Sequence, residues 1–226
     1  MSTLKPWDQP VADSTAQLVL KTSNIDFRTP ESANLRVFDF GCGNGRYMEV
    51  YARCVDKSNI YGVEINAEQV SQVQTKGFSC TQLSTTQSEL PFEDEFFDIV
   101  FSSNVIEHIP RPQYLEYLAE IYRVLRPGGR FLVGTPNYPF KRIYDMRKAL
   151  TSGFFKYYFF DDPTHCNKLS ISQLERDLSR LFVDIHLDPT YFLFEEKISL
   201  LRKPNIRQKF RIFGDKIFGY CVKFKE

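Results

Sequence analysis

The chain has 226 residues, 42% hydrophobic and 25% charged, with 29 Lys and Arg against 28 Asp and Glu. That length suits one domain, or one domain with insertions, holding a core of its own. A net charge of +1 sets aside a dedicated nucleic-acid binder, and no apolar run approaches the roughly 18 residues of a membrane span.

Residues 1–34 are a polar lead-in, too polar at the start for a secretory signal, with one short helix near Thr15–Lys21. "LRVFDF" (35–40) is a buried strand that runs into glycines, and residues 45–54 follow as a helix. "IYGVEI" (60–65) is a second strand, followed by a helix through "AEQVSQVQTK" and a short strand near 78–82. "FFDIVFSS" (96–103) is the next strand, and 113–126 repeats apolar residues at helical spacing until Pro127-Gly128-Gly129 stops it. "RFLVGT" (130–135) is a further strand. Residues 137–168 mix aromatic and basic side chains over two helical stretches, 170–182 is a helix with a Ser start, and "VDIHLD" (183–188) is a strand. Residues 195–217 are expected as a helical insertion, and the alternating "FGYCVKFK" (218–225) as a terminal antiparallel edge strand. Strands and helices alternating in this way make an α/β protein with a doubly wound, mostly parallel sheet. Cys42, Cys54, Cys80, Cys166 and Cys221 form no CxxC pair, which fits reduced thiols in a cytoplasmic protein.

"DFGCGNG" (39–45) follows the first strand directly. Glycines there let the backbone approach a ligand closely. The dinucleotide fingerprint G-x-G-x-x-G is not met: the third glycine falls one position early, at Gly45, and Arg46 takes the expected place. Asp39 beside the loop opposes a diphosphate and suits an ammonium group. Glu64 closes the second strand, where it can accept from two ribose hydroxyls. Together they ask for a cationic amino acid attached to a nucleoside.

The run from Asp39 to Gly45 resembles the first motif of class I S-adenosylmethionine-dependent methyltransferases. "YGVEIN", "ELPFEDEFFDIVFSSNVIEHIP" and "IYRVLRPGGRFLVGTPN" are similar to their second strand, central acidic loop with fourth strand, and fifth-strand region, in that order. The resemblance implies a Rossmann-like, seven-stranded sheet with an antiparallel C-terminal strand across residues 1–226 as one domain. Segments 137–168 and 190–217 become acceptor-side insertions. It implies S-adenosyl-L-methionine as cofactor and S-adenosyl-L-homocysteine as product. Asp39, Gly41, Cys42, Gly43, Gly45, Glu64, Ile65, Thr86, Gln87 and Asn104 would hold the cofactor. Thr86 and Gln87 stand where the family often has an acid for adenine, and Asn104 ends the fourth strand near the methionine end.

An oxygen acceptor must lose a proton, usually to His or a carboxylate. Of three histidines, His186 alternates within a strand and is structural. His165, in "DDPTHCNKLS", is the first choice for the catalytic base, and His108 the second, since His108 can also cap the helix after "IPRPQ". "SNVIEHIP" also resembles a segment of quinone-pathway O-methyltransferases that holds a metal with two acids and a histidine. Here Asn104 stands at the first acid's position, so no metal is assigned. Lys197, Arg202, Lys203, Arg207, Lys209, Arg211 and Lys216 give residues 197–216 a basic face, with Ile206, Phe210, Phe213 and Ile217 at helical spacing opposite. It reads first as a solvated helix face and alternatively as a contact for an anionic membrane or a phosphate-bearing substrate. A small-molecule O-methyltransferase acting on a sugar, lipid-linked glycan or quinone-like acceptor is expected. A nucleic-acid or protein methyltransferase, a cofactor-binding protein without turnover and a nicotinamide-dependent dehydrogenase are the alternatives. A peripheral position on a membrane is compatible with the cytoplasmic expectation.

Overall fold

The computed structural model describes residues 11–86, 88–151, 159–192 and 214–225. Strands β1 (Val37–Phe40), β2 (Ile60–Glu64), β3 (Ser79–Gln82), β4 (Phe97–Ser103), β5 (Leu125–Pro136), β6 (Val183–Phe192) and β7 (Gly214–Val222) form one seven-stranded sheet. Their order is β3-β2-β1-β4-β5-β7-β6. β1 pairs in parallel with β2 and β4, β2 with β3, and β4 with β5. β7 runs antiparallel to β5 and to β6, so it alone opposes the common direction. The order of connection reverses between β1 and β4, which opens a crevice at the carboxyl ends of the central strands.

Side chains alternate across the sheet with the strand period of two, except where the register shift between Phe97 and Ile99 puts Phe97 on the side of Val100. Phe38, Phe40, Phe97, Val100, Phe131 and Val133 share one core with residues of α4 (Arg111–Val124) and α6 (Ile171–Leu178). Val37, Ile99, Phe101 and Leu132 share the other with residues of α1 (Asp13–Thr22), α2 (Arg46–Tyr51) and α3 (Ala67–Thr75). α4 forms because Tyr114, Tyr117, Leu118, Ile121 and Val124 fall on one stripe and are buried. Each such large side chain removed from water contributes about 1.5–3 kcal/mol. α6 starts at a reciprocal cap between Ser170 and Gln173. Its buried Asp177 accepts two hydrogen bonds from Arg111 of α4, at 2.6 and 2.7 Å.

Two sequence expectations are corrected. The C-terminal strand is not at the edge: β7 lies inside the sheet and β6 takes the edge. The alternation at 218–225 reflects unequal cover of the two faces of β7, while both its edges are paired. Its inside position demands a glycine, because a Cβ on Gly219 would meet the His186 carbonyl oxygen at 1.9 Å. The helical reading of 195–217 also fails at its end, since Asp215, Lys216 and Ile217 belong to β7, where strand pairing overrides the spacing of 217 with 213. The rest of the basic stretch, residues 197–213, lies outside the described residues, as do residues 152–158 of the aromatic segment. α5 (Phe140–Thr151) is the described helix of that segment. Among the described residues no helix is long and apolar enough to cross a membrane.

Candidate cofactor and acceptor site

β1 ends at Phe40, and the chain turns through Gly41, Gly43 and Gly45 at φ of 75°, 55° and 80°, values that glycine adopts freely. The amides of Gly41 and Cys42 both donate to the Val63 carbonyl at 3.0 Å, which pins the loop to β2. The glycines differ in what surrounds them. A Cβ on Gly41 would lie 2.5 Å from Val105 Cγ2, whereas one on Gly43 would meet nothing within 4 Å. Gly41 is therefore required by packing, and Gly43 faces open space over the crevice.

Glu64 braces the same loop from the end of β2. Its Oε2 accepts from the Gly43 amide at 2.9 Å, and its Oε1 accepts from the Ile65 and Asn66 amides at 2.9 and 3.0 Å. Oε2, with one donor, keeps acceptor capacity, while both sites of Oε1 are taken. Asp39 is 2% exposed and its Oδ2 has no partner. Burial, and then the Glu64 charge, push its carboxyl up to about 8, with Arg46 pulling the other way. A buried carboxyl with an unmet oxygen marks a place for a cationic group.

The remaining expected cofactor residues fall around this crevice with different degrees of freedom. Ile65 is 57% exposed directly after Glu64, an apolar surface free for a flat ring. The Cys42 side chain turns inward, its Sγ 3.6 Å from Cys80 Sγ, so only its backbone borders the loop. Thr86 is exposed with its hydroxyl 2.8 Å from Ser84 Oγ, and Gln87 lies outside the described residues. Asn104 ends the β4 turn at φ 56°, its amide donating to the Gly134 carbonyl at 2.8 Å.

On the acceptor side, Glu107 and His108 sit in a short 3-10 turn, Ile106–His108, after β4. Asn167 docks the loop carrying His165 onto this turn: its amide donates to the Glu107 carbonyl at 3.0 Å and its Nδ2 to the Ile106 carbonyl at 3.1 Å. The two imidazoles consequently meet edge to face with ring centroids 4.7 Å apart. His165 is held by its surroundings. Its side chain is 9% exposed, and Nδ1 lies 2.6 Å from the Tyr138 hydroxyl. Burial, then the His108 charge, hold it below the ordinary imidazole range, so the ring is neutral near pH 7. His108 does not cap α4, whose first turn has no side-chain cap and begins after Pro110. Its Nδ1 lies 2.9 Å from Thr164 Oγ1. Glu107 is 1% exposed, with Oε2 accepting from Thr135 Oγ1 at 3.1 Å and burial raising its carboxyl to about 7. His186 stacks on Tyr220 within the β6–β7 pair, a structural position.

Residues 38–133 match the family model described as "Methyltransferase domain". Over that segment, less than half of the chain, the sequence is similar to a methyltransferase domain. Two curated relatives are a ubiquinone biosynthesis O-methyltransferase of Roseobacter denitrificans, 32% identical over 50% of this chain and 46% of that one, and a 27-O-demethylrifamycin SV methyltransferase of Amycolatopsis mediterranei, 28% identical over 57% and 48%. The chain spans between about a third and a half of the length of the first curated relatives it matches. Among solved structures, a SAM-dependent methyltransferase of Archaeoglobus fulgidus superposes with a TM-score of 0.64 at 20% identity, over 92% of this chain and 94% of that one. The [4+2]-cyclase SpnF superposes with a TM-score of 0.64 at 18% identity, over 95% and 81%. These two likenesses speak for the fold.

Within this methyltransferase fold, sequence reasoning gave no role to Glu107, Thr135, Tyr138, Asp161, Asp162 or Thr164. Only Glu107 carried a signal, as the acid next to His108. The others reach the acceptor side from segments that no local spacing connects.

Proposed function

We propose that the chain uses S-adenosyl-L-methionine to methylate an oxygen of a small molecule, such as a sugar, a lipid-linked glycan or a quinone-like acceptor. The observation that carries this is the unmet buried carboxyl of Asp39 beside the open face of Gly43 and the Glu64 carboxylate. Asp39 takes the amino group of the cofactor, Glu64 its ribose hydroxyls, and Ile65 one face of the adenine. Thr86 and Gln87 border the adenine edge, while the backbone of Gly41, Cys42, Gly43, Gly45 and Asn104 forms the wall. The chain acts as one domain, with the described residues 137–151 and 159–168 toward the acceptor.

Bound S-adenosylmethionine supplies an electrophilic methyl on a sulfonium, and the residues of this chain supply positioning. His165, and second His108, stand beyond the strand ends, where an acceptor hydroxyl must give up its proton. A cavity of about 750 Å³ lined in part by Tyr138, Arg142, Asp161, Lys168 and Gln173 adjoins His165 through its Tyr138 partner and is the proposed acceptor entrance. The named O-methyltransferases among the relatives support an oxygen acceptor. Near-neutral charge speaks against nucleic acid as substrate.

The test has two stages. S-adenosylhomocysteine should raise the melting temperature while NAD leaves it unchanged, as selective binding to the folded state requires. Radiolabelled S-adenosylmethionine with fractionated small-molecule extract should then give a labelled product. His165→Ala and His108→Ala should lower that transfer by about 10²–10⁴ while leaving S-adenosylhomocysteine binding nearly unchanged. Stabilisation by NAD alone overturns the cofactor assignment, and label appearing only in macromolecules overturns the acceptor class.

A further inference from the structure

We propose that Tyr138 and Asp161 are positioning residues for His165: together they hold its ring hydrogen on Nδ1 and leave Nε2 to take the proton of the acceptor. For its chemistry this inference rests on the methyl-transfer reading. Tyr138 has one hydroxyl hydrogen and two neighbours within reach of it. Its oxygen lies 2.6 Å from His165 Nδ1 and 3.1 Å from Asp161 Oδ1. Which neighbour receives the hydrogen is decided at Asp161.

Asp161 stands among cations. Its Oδ2 is 2.7 Å from Lys168 Nζ, and its Oδ1 is 3.6 Å from Lys141 Nζ and 4.0 Å from the Arg142 guanidinium. Against its burial, the bonds from Lys168 and Tyr138 hold the carboxyl below the ordinary range. An ionised carboxylate only accepts, so the hydroxyl hydrogen points to Asp161. Burial, and then the Asp161 charge, push the phenol well above its ordinary range, so Tyr138 keeps that hydrogen. Toward the imidazole the Tyr138 oxygen then presents a lone pair, and only an N–H can meet it at 2.6 Å. His165 therefore carries its hydrogen on Nδ1 and its lone pair on Nε2. Asp162 Oδ2, 3.8 Å from Nε2, is beyond hydrogen-bond reach.

Which nitrogen of an imidazole serves as the base is set by the bond that the other one makes. Tyr138 is itself fixed: it is 6% exposed, and its amide donates to the Leu169 carbonyl at 2.9 Å. His108 has a similar arrangement, since Thr164 Oγ1 donates to Asp162 Oδ1 at 2.6 Å and so accepts from His108 Nδ1. Thr164 is exposed, however, and water can take its place, whereas Tyr138 is buried. The buried chain Asp161–Tyr138–His165 therefore favours His165 over His108 as the base. As the acceptor hydroxyl reacts, its O–H bond breaks and an N–H bond forms at Nε2. The O–H electron pair stays on oxygen for the bond to the methyl carbon, and the carbon–sulfur pair leaves with sulfur. The resulting imidazolium donates from Nδ1 to Tyr138, with the Asp161 charge behind it, and then gives its Nε2 proton to water.

The test is a long-range proton–nitrogen correlation spectrum of the isotope-labelled full chain at about pH 8, where histidine is neutral. The chain has only three histidines, and His165→Ala identifies the ring in question. Wild-type His165 should carry hydrogen on Nδ1 alone. In Tyr138→Phe and in Asp161→Ala hydrogen should appear on Nε2, while the His186 signals stay in place. Methyl transfer by these two variants should fall about 10–100-fold, less than the roughly 10²–10⁴ that loss of a base costs. Unchanged S-adenosylhomocysteine binding by both shows that the fold and the cofactor crevice are intact. Hydrogen on Nε2 in the wild-type chain, or a His165 tautomer unmoved by Tyr138→Phe, overturns the proposal. So does transfer that is lost in His165→Ala yet unaltered in both variants. The expected tautomer in a chain that transfers no methyl group supports the positioning and counts against the methyl-transfer reading instead.

Discussion

Cofactor binding should release a proton, and the group that releases it is Asp39. In the free protein burial and the Glu64 charge place its carboxyl at about 8, against an ordinary 3.8. The carboxyl is therefore mostly protonated at pH 7. A cationic amino group docking against it stabilises the carboxylate, so binding and ionisation are linked. The sign follows: affinity rises with pH toward 8 and levels off above it. At pH 6 the ionisation costs about 2.7 kcal/mol, two pH units at roughly 1.36 kcal/mol each. The dissociation constant for S-adenosylhomocysteine should thus be about 100-fold higher at pH 6 than on the plateau above pH 8, and about 50-fold higher than at pH 8 itself, where half the carboxyl is ionised. Calorimetry at pH 7 in two buffers of different ionisation enthalpy should report release of nearly one proton. Asp39→Asn should bind weakly with a flat pH profile. A pH-independent constant with no buffer dependence in the wild-type chain would refute the reasoning. Without ligand, the same proton is held only in the folded state, so this group makes the folded chain less stable as pH rises from about 4 to 8.

Glu64→Gln should raise the dissociation constant of S-adenosylhomocysteine roughly 10–100-fold, since a charge-assisted hydrogen bond is worth about 1.5–3 kcal/mol. It should also move the pH midpoint of binding downward, because the Glu64 charge raises the Asp39 carboxyl; an unmoved midpoint in titration calorimetry would argue against that coupling. Gly41 and Gly43 should separate: each Cβ adds about 1–2 kcal/mol of left-handed strain, but Gly41→Ala also drives into Val105 at 2.5 Å. Thermal unfolding should therefore fall more for Gly41→Ala, whereas Gly43→Ala should lose cofactor affinity out of proportion to its stability. Arg111→Ala strands Asp177, 2% exposed, and should cost about 1–3 kcal/mol, moderated because Arg111 is itself 43% exposed. An unchanged melting temperature would show that water replaces the guanidinium.

The parts legible in the sequence were those whose cause is local. Glycine spacing after β1, the apolar stripe of α4 and the alternation of strands with helices follow from residues near one another in the chain. The meeting of Gly43 with Glu64 beside Asp39 has the same local cause, since all three close within one βαβ unit. The acceptor side was not. His165 reaches His108 only because Asn167 bonds to a carbonyl 61 positions away, and Tyr138 lies 27 positions from the ring it orients. The place of β7 was illegible because an alternating strand reads the same with one edge paired or two. Residues 195–217 misled at their end because apolar spacing in a short window fits helix and strand alike.

Asn137 joins three segments: it donates to the carbonyls of Asp215 and Gly214 at 2.8 and 2.6 Å, and its Oδ1 accepts from the Ile171 amide at 3.0 Å. Two of those three bonds go to the start of β7, the last strand of the sheet to be synthesised. β6, made earlier, has no neighbour in the sheet until β7 arrives between it and β5. During synthesis, then, the crevice framed by β1, β2 and β4 is completed from chain already made. The wall carrying Tyr138 and the start of α6 waits for the final strand. A ribosome-stalled chain ending before residue 214 is therefore expected to hold the cofactor half of the site without the acceptor half.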